Sequence, residues 1–383
     1  MPIKNQPYYY GDEMESIIRK EGLVKTNPSC RKRTVIILPV GTNCNLNCTY
    51  CYHGDKREKI KVISPEILAR TYEEISKYAE NVTFLWHGGE PLLAGVNFFR
   101  QALELQNQIR FFGEVRNIIQ SNGTLINEEW ANFILEKNIM FGVSIDDPKE
   151  IHDKNRKNFE GNGSFERIIA GIKMLREIGL NRIGSIVLVT KDNVDYPDDV
   201  YNILRTCGVT SSVLHFCSET EDGISSLIPD FDKAVRFFKR LFDLWIEDDD
   251  PSFRIRNFTN VLRVLCGGRP VECASYKGCR QFITVDNQGD VYFCHRLVRN
   301  REFKMGNLME KSLSEIIAAS EKFYTEASDI PKECFLCKWF PACGGGCAQE
   351  RLVASGRFNS RHPECELKKT LFSYIEQRVK NYI

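Results

Sequence analysis

From residue 34 onward, short apolar runs alternate with longer stretches in which apolar residues recur every three or four positions. The run at 34–39 is β-branched and predicts a strand. Residues 64–80 predict a helix, opened by Ser64 at the cap and Pro65 at the first helical position. Residues 82–87 predict a second strand and 96–112 a second helix. A strand at 115–120, a helix at 127–137 and a strand at 139–145 continue the rhythm. Over 164–178, Phe165, Ile168, Ile169, Ile172 and Leu175 mark one helical face. Strands at 182–190 and near 212–216 complete a set of six. Repeating β–α units imply an α/β fold with a parallel sheet and right-handed crossovers. Closed part-way into a TIM-like (β/α)6 barrel, such a sheet keeps its chemistry on loops at the carboxyl ends of the strands.

The rhythm then fails. Residues 231–246 read as an amphipathic helix, and the acidic run 247–250 with Pro251 reads as a solvated turn. From Cys273 the composition shifts to short strands, turns and cysteines, closed by a last helix near 369–382. The expected division is an N-terminal extension (1–33), a barrel (34–220), a bridging helical region (221–272), a cysteine-rich domain (273–368) and a C-terminal helix (369–383).

Composition narrows the function. In 383 residues, 42% hydrophobic and 27% charged, the net charge is +1, so nothing draws the chain toward nucleic acid or a membrane surface. No apolar run approaches the roughly 20 residues that span a bilayer. The first ten residues lack the apolar core of a secretion signal. A cytoplasmic protein is expected. Fifteen cysteines then need a use. Disulfide frameworks belong to small secreted chains. Eleven of the fifteen fall into spaced groups, which points to metal, while Cys30, Cys207, Cys217 and Cys266 stand apart and read as buried thiols.

The first group is Cys44-x3-Cys48-x2-Cys51, with the aromatic Tyr50 inside it, directly after the first strand. Three thiolates on a 4Fe–4S cube leave one iron open to a small molecule. Further strings follow at successive strand ends: His87-Gly88-Gly89-Glu90-Pro91, Ser121-Asn122-Gly123 and Ser144-Ile145-Asp146, with Arg156 shortly after. The glycines let backbone approach a ligand closely. Glu90 offers a carboxylate or polarised backbone to an ammonium group, and Arg156 a partner for a carboxylate. Together they fit an amino-acid-like ligand that carries a ribose.

On these motifs the chain resembles a radical S-adenosylmethionine enzyme, over about residues 34 to 365. The resemblance implies that Cys44, Cys48 and Cys51 hold a 4Fe–4S cluster whose open iron chelates S-adenosylmethionine. It implies Tyr50 against the adenine and the Gly88–Gly89–Glu90 turn at the methionine amine. It also implies Ser144, with Asn122 and Asp146, toward the ribose, and Arg156 at the methionine carboxylate. Reductive cleavage then gives a 5′-deoxyadenosyl radical, with the protein supplying position and exclusion of water.

The second constellation is Cys273-x5-Cys279, Gly289, Cys294, then Cys334-x2-Cys337-x5-Cys343-x3-Cys347 and Cys365. Eight thiolates suit two fully ligated 4Fe–4S clusters; two zinc sites fit the spacing as well. The pattern resembles the SPASM domain, with Gly289 in a hairpin between 282–286 and 291–293. That resemblance implies an inner auxiliary cluster on Cys273, Cys279, Cys294 and Cys347, and an outer one on Cys334, Cys337, Cys343 and Cys365, three clusters in all.

Several reactions stay open. Anaerobic sulfatase-maturating enzymes share all eleven cysteines and carry an Asp after the cysteine matching Cys294, serving as base; here His295 stands there. The string Trp86 to Gly95 with Phe98-Phe99 resembles cyclophane-forming maturases, which join an aromatic ring to a β-carbon of a precursor peptide. Asp147, where a Gly is usual, departs from that pattern. Thioether formation fits the same machinery, and an iron–sulfur electron carrier is the non-enzymatic alternative. The expected partners are a precursor peptide, a reductant such as flavodoxin or ferredoxin, and a separate leader-binding protein.

Overall fold

The computed structural model describes residues 32–54, 59–218, 225–275 and 278–380. The expected extension at 1–33 and Cys30 therefore lie almost wholly outside the described residues. Six parallel strands form as the alternation predicts: β1 (Lys32–Ile37), β2 (Asn81–Trp86), β3 (Val115–Ser121), β4 (Met140–Ser144), β5 (Ile183–Val189) and β6 (Ser211–Phe216). Their pairing puts Ile37 opposite Trp86, Trp86 opposite Ile119, and Ser144 opposite Ile186. The carboxyl ends thus form one rim, from which the candidate loops leave.

The intervening helices begin where local chemistry satisfies their first amides. Ser64 accepts from the Ile67 amide at 3.4 Å, ahead of Pro65–Tyr78. Asn127 accepts from Trp130 at 2.9 Å, ahead of Glu128–Glu136. Beneath the rim, Trp86, Phe99, Trp130 and Phe133 pack edge to face, with centroids 5.0 Å apart for Trp86–Phe99 and 5.3 Å for Phe99–Trp130. Trp86 Nε1 donates to Asn117 at 3.0 Å, so the buried indole is satisfied. One continuous core runs through these residues and on into the C-terminal half.

The cysteine-rich region shares this core and also the sheet. Three further strands, β7 (Arg254–Ile255), β8 (Phe282–Val285) and β9 (Asp290–Tyr292), are followed by β10 (Lys304–Asn307). The sheet order is β10-β9-β8-β1-β2-β3-β4-β5-β6-β7. β8 pairs in parallel with β1, Ile37 opposite Val285, so the hairpin extends the barrel sheet on one edge and β7 extends it on the other. The hairpin turn holds Gly289 at φ +83, as its conformation requires.

Helices also exceed expectation. Lys149–Asn155 and Pro197–Thr206 lie where no helix was expected, Arg256–Leu265 adds a second helix to the bridging region, and Leu313–Ala319, Glu321–Ser328 and Ala348–Ser355 occupy the cysteine-rich region. The acidic run is not a free turn. Phe231–Asp248 continues through half of it, Asp248 accepts from Tyr201 at 2.7 Å, and Asp250 pairs with Arg205 at 2.6 Å. The last helix starts at Cys365 itself (Cys365–Val379) and packs on Phe231–Asp248 through Tyr374, which donates to Asp243 at 2.6 Å. Among the described residues, no helix is long and apolar enough to cross a membrane.

Candidate active site and metal centres

The three-cysteine loop leaves β1 and is pinned on two sides. The Gly89 amide donates to Gly41 at 3.0 Å and the Glu90 amide to Asn43 at 2.8 Å; Asn47 and Thr49 donate to Lys157 and Asn155 at 2.6 and 2.9 Å. The approach is so close that a Cβ on Gly89 would stand 1.8 Å from the Asn43 carbonyl oxygen. Gly88 sits at φ +109 with its own Cβ position 2.5 Å from the Gly41 oxygen. Both glycines are therefore demanded by the contact of two loops.

Glu90 is fully buried, and its carboxylate accepts from Leu92 N at 3.0 Å, Ser121 Oγ at 2.8 Å and Asn122 N at 2.7 Å. Burial pushes its carboxyl up to about 7, against those three hydrogen bonds. The carboxylate thus ties the β2 loop to the end of β3, and what it can turn toward an ammonium group is its remaining lone pair. Asn122 is likewise engaged. Its Nδ2 donates to Asn45 Oδ1 at 2.8 Å and lies 3.6 Å from Cys44 Sγ, while its Oδ1 accepts from the Thr124 hydroxyl at 2.7 Å. The Asn45–Asn122–Thr124 knot was not foreseen from the sequence, because Asn45 and Thr124 were given no role in the strings that contain them.

Asp146 gathers the next group. It accepts from Arg156 Nε at 2.8 Å, from Leu188 N at 2.8 Å and from the Tyr50 hydroxyl. The Arg156 guanidinium also lies over the Tyr50 ring, 5.3 Å from its centroid. Asp146 is 2% exposed, so its carboxylate orients Tyr50 and Arg156 from behind and is not itself presented to a ribose. The Arg156 charge holds the buried Asp146 below the usual carboxylate range despite desolvation. Ser144 stays half-buried at the rim, its hydroxyl accepting from Gln120 at 3.3 Å.

Across the mouth, the cysteine-rich region brings its eight thiols into two sets. Cys273, Cys279, Cys294 and Cys347 lie within electrostatic reach of one another; so do Cys334, Cys337, Cys343 and Cys365. Burial and the neighbouring sulfurs push the Cys279 and Cys294 thiols up to about 12. Four thiolates so placed need a cation between them, and an all-sulfur set fits a fully ligated iron–sulfur cluster. The three-thiol loop fits a cluster with one iron left open.

His295, directly after Cys294, faces the barrel mouth. Its ring lies 5.0 Å from His87 and 6.0 Å from Tyr52, centroid to centroid. Burial, then the neighbouring His87 and Arg296, hold its imidazole well below the ordinary value, so it is neutral. The Tyr52 ring also meets Arg296, whose guanidinium lies 5.8 Å from its centroid. The thiols of Cys51 and Cys294 both act on its phenol, after burial, to raise its pKa. Through His295 and Arg296, the residues after Cys294 thus meet the aromatic ring that follows Cys51. Tyr52 and Arg296 stand beside recognised motif positions, but nothing in their spacing marked them.

Comparison with known proteins agrees with this geometry. Residues 38–204 match the model of the radical SAM superfamily, and residues 273–344 that of the SPASM iron–sulfur cluster-binding domain. A serine-type anaerobic sulfatase-maturating enzyme of Bacteroides thetaiotaomicron is 32% identical, over 85% of this chain and 84% of its own. A cysteine-type enzyme of Clostridium novyi is 31% identical, over 88% and 94%. The solved structure of native anSMEcpe with bound AdoMet superimposes with a TM-score of 0.82 at 28% identity, covering 91% of this chain and 98% of that one.

Proposed function

Since the chain belongs to the radical SAM superfamily and carries a SPASM iron–sulfur domain, we propose that it oxidises side chains of a ribosomally made precursor peptide, joining an aromatic ring to a nearby β-carbon. Its cofactors are S-adenosylmethionine and iron–sulfur clusters, and its substrate is a peptide or protein. Cys44, Cys48 and Cys51 would hold the S-adenosylmethionine cluster, and the two quartets the auxiliary ones. When bound, these groups supply a hydrogen-abstracting radical and take up the electron that the product must lose.

The observation that supports this reading is the close approach of the two loops: the ring of His295, directly after Cys294, lies 6.0 Å from that of Tyr52, directly after Cys51, and 5.0 Å from that of His87. The residues divide the work. Arg156, aimed by Asp146 and Tyr50, keeps an Nη group for a carboxylate. The β2 loop, locked by Glu90, presents backbone to an ammonium group. His295 takes the proton released when a substrate radical, having formed its new bond, gives up an electron and restores the ring. Two hydrogens leave the peptide, one by abstraction and one as proton plus electron. A reductant such as flavodoxin or ferredoxin and a separate leader-binding protein complete the proposal.

A second reading is oxidation of a Ser or Cys to formylglycine, which the resemblance to anaerobic sulfatase-maturating enzymes implies; relatives that bear that name are 32% and 31% identical. His295, where those enzymes carry their Asp, weakens this reading without closing it, since a His can also take a proton. The readings separate in one assay. Reconstituted enzyme, S-adenosylmethionine and dithionite are incubated with each peptide that the reading frames flanking its gene encode. Cross-linking removes two hydrogen masses and leaves a product that hydrazide reagents do not trap. An aldehyde trapped on a single Ser or Cys would instead establish formylglycine chemistry.

A further inference from the structure

A line of charged side chains connects the two cysteine quartets. Arg296 Nη1 donates to Glu350 Oε1 at 2.7 Å, and His362 Nε2 lies 2.7 Å from Glu350 Oε2. Lys368 Nζ stands 3.4 Å from the His362 ring and 3.5 Å from Glu364. At one end, Arg296 lies over the Tyr52 ring at 5.8 Å, and it acts on the thiols of Cys294 and Cys347. At the other end, Lys368 acts on Cys343, in the second quartet, and on Cys347 in the first. The fold makes room for this line. Gly346, at φ +77, packs so tightly on His362 that a Cβ there would lie 2.2 Å from the ring.

Such an arrangement is costly as a mere tie. The side chain of His362 is 2% exposed, that of Glu350 13%, that of Arg296 22% and that of Lys368 24%. Desolvating charges to this degree is seldom repaid by pairing alone. A cluster ligated by four thiolates is, however, net negative, and becomes more so on reduction. A fixed cation beside it makes the added electron less unfavourable. Arg296 stands beside the inner quartet and Lys368 beside the outer one, and Glu350 with His362 holds both from swinging into solvent.

We propose that Arg296 and Lys368, held in place through Glu350 and His362, raise the reduction potentials of the auxiliary clusters, Arg296 chiefly at the inner quartet and Lys368 chiefly at the outer. Both are positioning residues, acting on the clusters through space. The inference rests on the reading that both quartets hold 4Fe–4S clusters.

The test is potentiometric titration of full-length, anaerobically reconstituted protein, followed by electron paramagnetic resonance, with iron and zinc counted. Lys368→Met, with its full iron complement, is expected to lower the potential of one auxiliary centre and leave S-adenosylmethionine binding intact. Lys368→Arg is expected to restore that potential. Unchanged potentials in iron-replete Lys368→Met overturn the inference. If Lys368→Met loses iron, Arg296→Gln decides, because a potential unmoved there is equally contrary. Zinc in the quartets of the unaltered protein would instead remove the reading beneath, a distinct outcome.

Discussion

The two halves of the site are built in opposite ways. At the barrel end, each loop that carries a candidate residue leaves a strand of a six-strand parallel array, and hydrogen bonds between loops fix it. Glu90 alone satisfies three donors on two segments. In the cysteine-rich region, Cys334 and Cys343 sit in helices of four residues, Lys332–Phe335 and Phe340–Cys343. Helices this short do not hold themselves. Their surroundings lean on Arg351, whose guanidinium donates to the carbonyls of Asp329, Ala327 and Phe358. The barrel end is thus shaped before any cofactor arrives, whereas the outer quartet needs its metal to finish folding.

The largest effect expected from this contrast is on iron removal. Chelation should increase amide hydrogen exchange across 332–365 by orders of magnitude and leave β1–β6 protected. Equal loss in both regions would erase the distinction. Next, Glu90→Ala strands three buried donors and should cost roughly 4 kcal/mol of stability. The denaturation midpoint measures it, and Glu90→Gln, which keeps an acceptor, should lose less.

Acidification probes the barrel end in a third way. Burial lowers the His152 imidazole to about 4, while its ring nitrogens serve Asp146 at 3.1 Å and Ser164 at 3.0 Å. The unfolded chain binds the proton first, so its stabilising contribution is full above pH 6.5 and is lost as pH falls toward 4. The loss should reach about 3 kcal/mol, read from stability at pH 7.5 against pH 4.5. His152→Asn should flatten that slope. The smallest effect is Tyr50→Phe, about 1 kcal/mol, because Asp146 keeps its pairing with Arg156 and the Leu188 amide.

The same contrast explains what the sequence revealed. Strands and cysteine loops were legible because β-branched runs and fixed spacings are local. Ser64 and Asn127 cap their helices as their neighbours indicate. The parallel pairing of β8 with β1 was hidden, since nothing local to 282–285 names a partner some 250 residues earlier. Helices such as Leu313–Ala319 were missed because cysteine spacing dominated that stretch, although Ser312 and Glu315 form a capping box there. At the site, the roles of Glu90 and Asp146 shifted. Residue type announced carboxylates near a ligand, and only the packing shows both turned inward to hold their neighbours.

The claim on which the rest depends is that the loop of Cys44, Cys48 and Cys51 holds the cluster that splits S-adenosylmethionine. Its most direct test is 5′-deoxyadenosine release from anaerobically reconstituted protein with dithionite, beside a variant with all three residues changed to Ala. The unaltered protein should release it, and the variant none, while keeping the iron of the two quartets. Undiminished release by the variant would contradict the assignment.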